Sequence, residues 1–157
     1  MDEQSGRILG LDFGAKGIGV AVSDEFGWTA QPVGRIQRGS IEEDMISLST
    51  LVKTYGIVKV VVGLPRNMDG SLGSQARLVL AFVDKLRETI HLPVVTWDER
   101  LSTIAVTRVL LDADLSRKKR KKHVDKMAAA FILQGYLDGK GRSSAPSHSG
   151  GEKDEPG

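Results

Sequence analysis

The chain has 157 residues, the length of one ordinary domain with a substantial hydrophobic core. It contains no cysteine, so disulfide bonds and thiolate chemistry are excluded. No apolar run approaches the ~20 residues of a membrane span, and the first residues lack a signal-peptide pattern. We therefore expect a cytoplasmic protein with no membrane partner. The net charge is only +2, so any role of charge depends on where basic residues cluster.

Three strands are predicted at the start of the chain. Apolar runs over 7–12 and 17–23 flank a glycine-rich turn, and a third strand is predicted within 28–38. Pro32 lies in this third run, which suits only an edge strand or the start of a strand. Three consecutive strands with short turns predict an antiparallel meander.

Helices and strands alternate after the meander. Ser40 is predicted to cap a helix that ends at Gly56, and the β-branched run 57–63 predicts a strand buried on both faces. The helix that follows this strand is predicted to contain Leu78 on the face that packs against the core. The remaining predicted elements are a helix over 74–90, a strand over 92–97, and helices over 102–111 and 123–138. We therefore predict an α/β fold with a mixed five-stranded sheet, antiparallel over three strands and then parallel, with helices on both faces.

Composition divides the chain into three parts. Residues 1–6 are predicted to be a loose N-terminus, and residues 7–139 a single domain. Residues 140–157 contain mainly Gly, Ser, Pro and charged residues, which cannot bury apolar surface. We expect this C-terminal tail to be disordered.

Acidic residues from distant parts of the chain are predicted to meet at one sheet edge. Asp12 follows the first strand, Asp98 and Glu99 follow the last, and Asp125 lies in the first turn of the last helix. Carboxylates assemble readily around cations, and oxygen ligands suit Mg²⁺ or Mn²⁺. Structural alternatives remain open: Asp12 as a turn cap, Asp98 as a helix cap, Glu99 as a partner of Arg100, and Asp125 as a favourable helix start.

A run of basic residues directly precedes Asp125. It consists of Arg117, Lys118, Lys119, Arg120, Lys121 and Lys122. Cations beside a metal-binding carboxylate cluster would hold the flanking phosphates of a nucleic acid, whereas the usual alternative is solvated surface. Further candidates for nucleic-acid binding are Lys16, Arg66, Asn67 and Arg100.

Two other groups receive structural interpretations. Trp28, Trp97 and Tyr136 are too scattered to indicate base stacking, so core packing is expected. Asp69 and Gly70 are expected to order the turn in their loop.

Four separated motifs, over 9–24, 62–70, 98–103 and 124–129, together resemble the YqgF (RuvX) family. The resemblance covers about residues 7–138. It implies a Holliday junction resolvase-like nuclease with a ribonuclease H-like fold. It also implies a bacterial cytoplasmic enzyme linked to 5′-end maturation of the small-subunit ribosomal RNA precursor.

The resemblance places Asp12, Glu99 and Asp125 at the metal-binding catalytic positions. It implies phosphodiester hydrolysis by metal-activated water, with two Mg²⁺ or Mn²⁺ ions when substrate is bound. The family usually has Lys-Arg after the first glycine turn, whereas here Lys16 is followed by Gly17. We expect positive φ or close backbone approach at Gly14 and Gly17, which both lie in this turn.

The chain also differs from related resolvases at a second position, and three alternative functions remain open. Related RuvC-type resolvases carry another acidic residue one helical turn after the position of Asp125, where this chain has Ala128. The alternatives are a resolvase of branched DNA, which would act as a two-fold dimer, a non-catalytic RNA-binding ribosome-assembly factor, and an actin-like ATPase. We expect a monomer or a weak homodimer.

Overall fold

The computed structural model describes residues 6–101 and 127–139. The predicted helix over 102–111, the basic run 117–122, Asp125 and the predicted tail over 140–157 lie outside the described residues. Within the described part, no helix is long and apolar enough to span a membrane.

One five-stranded sheet organises the described chain. Its strands are β1 (Arg7–Phe13), β2 (Gly17–Ser23), β3 (Ala30–Gln37), β4 (Ile57–Leu64) and β5 (Val94–Asp98), in the order β3-β2-β1-β4-β5. Strands β1, β2 and β3 pair antiparallel, whereas β4 is parallel to β1 and β5 is parallel to β4. The predicted mixed sheet is therefore confirmed. Pro32 is accommodated because β3 is an edge strand with an irregular register beside that residue.

Three α-helices lie within the described residues, and the first is capped at both ends as the sequence predicts. They are α1 (Ile41–Tyr55), α2 (Ser74–Thr89) and a helix over 127–139, here called α3. Ser40 accepts a hydrogen bond from the amide of Glu43, whose side chain accepts one from the Ser40 amide. Gly56 ends α1 in the left-handed conformation, at φ 64°.

Two hydrophobic cores lie on opposite faces of the sheet. Leu9 and Leu11 of β1 pack with α1 and α2, whereas Ile8 packs with α3. The same alternation explains the apolar run in β4: Val60 and Val62 face one core and Val61 faces the other. The predicted helices on both faces are confirmed.

Gly10 lets α3 pack directly on β1. A Cβ atom at Gly10 would lie 2.7 Å from Leu133 Cβ and 3.2 Å from the carbonyl oxygen of Ala129. Both atoms are held by the helix backbone, so neither can rotate away.

We expect Gly10→Ala to destabilise the protein by about 2 kcal/mol through overpacking. Urea unfolding of wild type and variant measures this loss of stability. Gly73→Ala is the matched control, since its Cβ would make only ordinary contacts with Asn67, and equal stability losses would contradict the packing argument.

Two predictions of core packing are wrong. Leu78 has 58% of its surface exposed, because α2 buries the stripe that contains Ala76, Val79 and Val83 instead. Trp28 has 77% of its surface exposed because it lies in the β2–β3 turn. The prediction is confirmed for Trp97 and Tyr136, which pack edge to face in the α3 core.

Candidate active site

Asp12 lies at the carboxyl end of β1 and on the face that α3 covers. Ile8 and Gly10 precede it at two-residue spacing and both contact α3, so Asp12 belongs to the same side of the strand. Its surface is half-buried. Leu11 pairs with Val62, which places Asp12 beside Gly63 of the neighbouring strand β4.

The Glu99 carboxylate lies above Gly63 on that same face. A Cβ atom at Gly63 would lie 3.1 Å from Glu99 Oε2 and 2.9 Å from Ile132 Cγ1 of α3. Because glycine has no side chain, the carboxylate of Glu99 can approach the sheet beneath α3, and only 8% of the Glu99 surface is exposed. The structure thus brings Asp12 and Glu99 to one edge and one face of the sheet, from β1 and from the turn after β5.

Of the predicted acidic cluster, the structure brings Asp12 and Glu99 together, whereas Asp98 pairs with Arg66 and Arg100 instead. Asp125 lies outside the described residues, two positions before the described start of α3. Over residues 6–101 and 127–139, no group of three or more His, Cys, Asp and Glu side chains is arranged to hold a metal ion. Asp12 and Glu99 supply only oxygen donors, which fit Mg²⁺ or Mn²⁺.

Asp98 points into a cationic cluster made with Arg66 and Arg100. Its Oδ2 atom lies 2.7 Å from Arg100 Nη2 and 3.8 Å from Arg66 Nε. The hydrogen bonds from the Arg100 side chain are the main reason that the pKa of Asp98 lies below its usual value. Asp98 therefore orders the start of the following turn, where its Oδ1 also accepts from the Arg100 amide.

The charged form of Asp98 is expected to contribute stability at neutral pH. Because the pKa of Asp98 is lowered in the folded protein, this contribution is present above the unfolded value of about 3.9 and is lost as the pH falls through the folded value. The stability difference between wild type and Asp98→Asn should therefore shrink from pH 6 to pH 3 in urea unfolding. A difference that stays constant over this range would contradict the assignment.

The loop after β4 is held by its own side chains. Asp69 Oδ1 accepts hydrogen bonds from the amide and hydroxyl groups of Ser71, and Gly70 adopts a positive φ of 88°. The predicted turn role of these residues is confirmed. Asn67 Nδ2 donates to Ser71 Oγ, and Arg66 Nη1 donates to the Gly70 carbonyl. Both side chains thus order the loop, and their contact with nucleic acid stays a prediction.

Two cations lie near the β1–β2 turn, Lys16 within it and Arg35 on the edge strand β3. Lys16 is exposed, as a phosphate contact requires. Neither Gly14 nor Gly17 has a positive φ. A Cβ atom at Gly14 would lie 3.2 Å from the Gly17 carbonyl oxygen, which is the predicted close backbone approach, whereas at Gly17 it is a side chain that comes close, with Arg35 Cζ 3.0 Å from an added Cβ atom. Sequence reasoning missed Arg35, because its contact with Gly17 depends on the pairing of β2 with β3.

The described fold is that of ribonuclease H-like α/β proteins, with an acidic site at the carboxyl edge of the sheet. The chain belongs to the RuvX family, described as Holliday junction resolvase, whose sequence model matches residues 6–139. Relatives from Desulforamulus reducens and Moorella thermoacetica are 57% and 54% identical, over 84% and 87% of this chain and 96% and 98% of their own. Both are named "Putative pre-16S rRNA nuclease".

A solved structure of Thermus thermophilus RuvC in complex with a Holliday junction substrate shares the fold. The TM-score is 0.56 at 13% identity, covering 88% of this chain and 97% of RuvC. The family resemblance and the ribonuclease H-like fold predicted from the sequence are both confirmed.

Proposed function

We propose that this protein is a metal-dependent nuclease that hydrolyses phosphodiester bonds of the 16S ribosomal RNA precursor during 5′-end maturation. The observation that carries the proposal is the meeting of Asp12 and Glu99 at one edge and face of the sheet. The relatives' shared name supports the choice of substrate. The proposed place of action is the cytoplasm, with the domain over 7–139 acting as a monomer or weak homodimer.

Asp12, Glu99 and Asp125 are the residues proposed to hold Mg²⁺ or Mn²⁺. Such ions, when bound, activate water and stabilise the leaving oxygen of a phosphodiester. Asp12 is half-buried and so remains accessible from solvent, whereas Glu99 is enclosed beneath α3. This difference favours Glu99 as a fixed ligand and Asp12 as the ligand nearest the substrate.

The positively charged residues are proposed to hold the RNA backbone. Lys16 is exposed next to the acidic edge. The basic run 117–122 precedes Asp125 in the sequence, which favours contacts with phosphates on either side of the cleaved bond. Because such contacts release counterions, binding should weaken steeply as salt rises.

The test presents two substrates to the purified full chain. A precursor RNA fragment with its 5′ leader and a four-way DNA junction are incubated with Mg²⁺, Mn²⁺ or EDTA. We expect cleavage of the RNA with either metal ion and none with EDTA. Cleavage of the junction alone would identify a resolvase instead. RNA binding without cleavage under all conditions would contradict the nuclease and favour the assembly-factor alternative.

A further inference from the structure

We propose that Arg35 is a substrate-phosphate contact of the acidic site, and that Gly17 is the residue that lets its guanidinium reach this site. The inference rests on the proposed nuclease function and names a specific residue that holds the substrate.

The strand register places Arg35 in the same row as Asp12. Asp12 pairs with Gly19 across β1 and β2, and Gly19 pairs with Arg35 across β2 and β3. Directly paired residues point to the same face of a sheet. Since Gly19 has no side chain, none stands between the carboxylate and the arginine in this row.

The Arg35 side chain extends from this row towards the β1–β2 turn. It lies over Gly17, where an added Cβ atom would fall 3.1 Å from Arg35 Cδ and 3.0 Å from its Cζ. Gly17 and Gly19 lie on the same face of β2 as Ala21, which packs in the α3 core. On β3, Ile36 packs against the core on the other face, so its neighbour Arg35 lies on the α3 face. The guanidinium of Arg35 therefore lies on the sheet face that carries Asp12 and Glu99, near the β1–β2 turn. Any larger residue at position 17 would displace this guanidinium.

The chemistry of this position suits a phosphate. Arg35 is exposed, so a phosphodiester can reach its guanidinium group and accept a charge-assisted hydrogen bond from it. A cation on β3, two strands away from Asp12 on β1, lies beside the carboxylates rather than among them. It is therefore placed to hold a phosphate next to the cleaved one, while the carboxylates act on the cleaved bond.

The first experiment compares Arg35→Ala, Arg35→Lys and Arg77→Ala in RNA cleavage with Mg²⁺. Arg77 is the matched control because it is exposed on α2, which packs on the opposite face of the sheet. We expect Arg35→Ala to raise KM about tenfold with little change in kcat, the pattern of a lost binding contact. Arg35→Lys should recover part of this loss, and the slope of log affinity against log salt should fall by about 1 in Arg35→Ala.

The second experiment moves the cation between strands. Gly17→Arg alone should impair cleavage, because the new side chain competes with Arg35 for the same space. The double variant Gly17→Arg with Arg35→Ala should recover cleavage to within about threefold of wild type, because one guanidinium again occupies the site. A purely structural role of Arg35 would predict no such rescue.

The outcomes separate the inference from the proposed function. Wild-type cleavage with unchanged KM in Arg35→Ala would overturn the role of Arg35 and leave the nuclease intact. A wild-type protein that neither binds nor cleaves RNA would overturn both.

Discussion

Asp12→Asn is expected to abolish cleavage of precursor RNA while the protein stays folded. The substitution keeps the shape of the side chain but removes the charge that a divalent cation requires at the carboxyl end of β1. Loss of about 4 kcal/mol of transition-state stabilisation corresponds to a rate lower by about a thousandfold. Because the basic residues remain, RNA binding in low salt should be largely retained. Single-turnover cleavage and gel-shift titration measure the two effects separately.

The matched control for this substitution is Asp84→Asn, since Asp84 is an exposed residue of α2. Its cleavage rate should equal that of wild type. Glu99→Gln should behave like Asp12→Asn, and exposed Glu88 provides the corresponding control. Wild-type cleavage by Asp12→Asn, with unfolding midpoints unchanged, would show that the carboxylate has no part in the reaction.

Asp44→Ala is expected to cause the largest loss of stability among the described ion pairs. Only 1% of the Asp44 surface is exposed, and its carboxylate lies 2.7 Å from Arg38 Nε and accepts from the Gly39 amide at 3.0 Å. Removing it leaves Arg38, itself 24% exposed, without this partner. We expect the free energy of unfolding to fall by about 3 kcal/mol, as for other buried pairs broken on one side.

The same substitution should also affect the active site. Arg38 donates its amide to the Lys16 carbonyl and its Nη1 group to the Gly14 carbonyl, so it braces the turn that follows Asp12. Without Asp44, Arg38 is held less firmly and the β1–β2 turn becomes less ordered. The KM for RNA should therefore rise while the protein is still folded. Urea unfolding and cleavage at low temperature measure both effects, with Asp84→Ala as the exposed control. A stability loss under 1 kcal/mol would contradict the buried-pair argument.

Local signals in the sequence predicted most of the described fold. The β-branched run of β4, the Ser40 cap and the left-handed Gly56 each depend on neighbouring residues, so they can be recognised without tertiary contacts. The meeting of Asp12 and Glu99 was also predictable, because the carboxyl ends of parallel strands share one edge.

The details that sequence reasoning missed depend on contacts between distant segments. Asp98 ends β5 and Glu99 follows it, but only the fold shows that Asp98 turns to Arg100 and that Glu99 lies over Gly63. Likewise, the contact of Arg35 with Gly17 follows from the β2–β3 register, which no local pattern reveals.

The measurement that tests the central claim most directly is Mn²⁺ binding, followed by electron paramagnetic resonance during titration of the full chain. Wild type, Asp12→Asn and Glu99→Gln are compared in the presence of an uncleavable RNA analogue. If the two carboxylates share one cation site, each substitution should weaken Mn²⁺ binding by at least about tenfold. Equal Mn²⁺ affinity in all three proteins would contradict a shared metal site at this edge of the sheet.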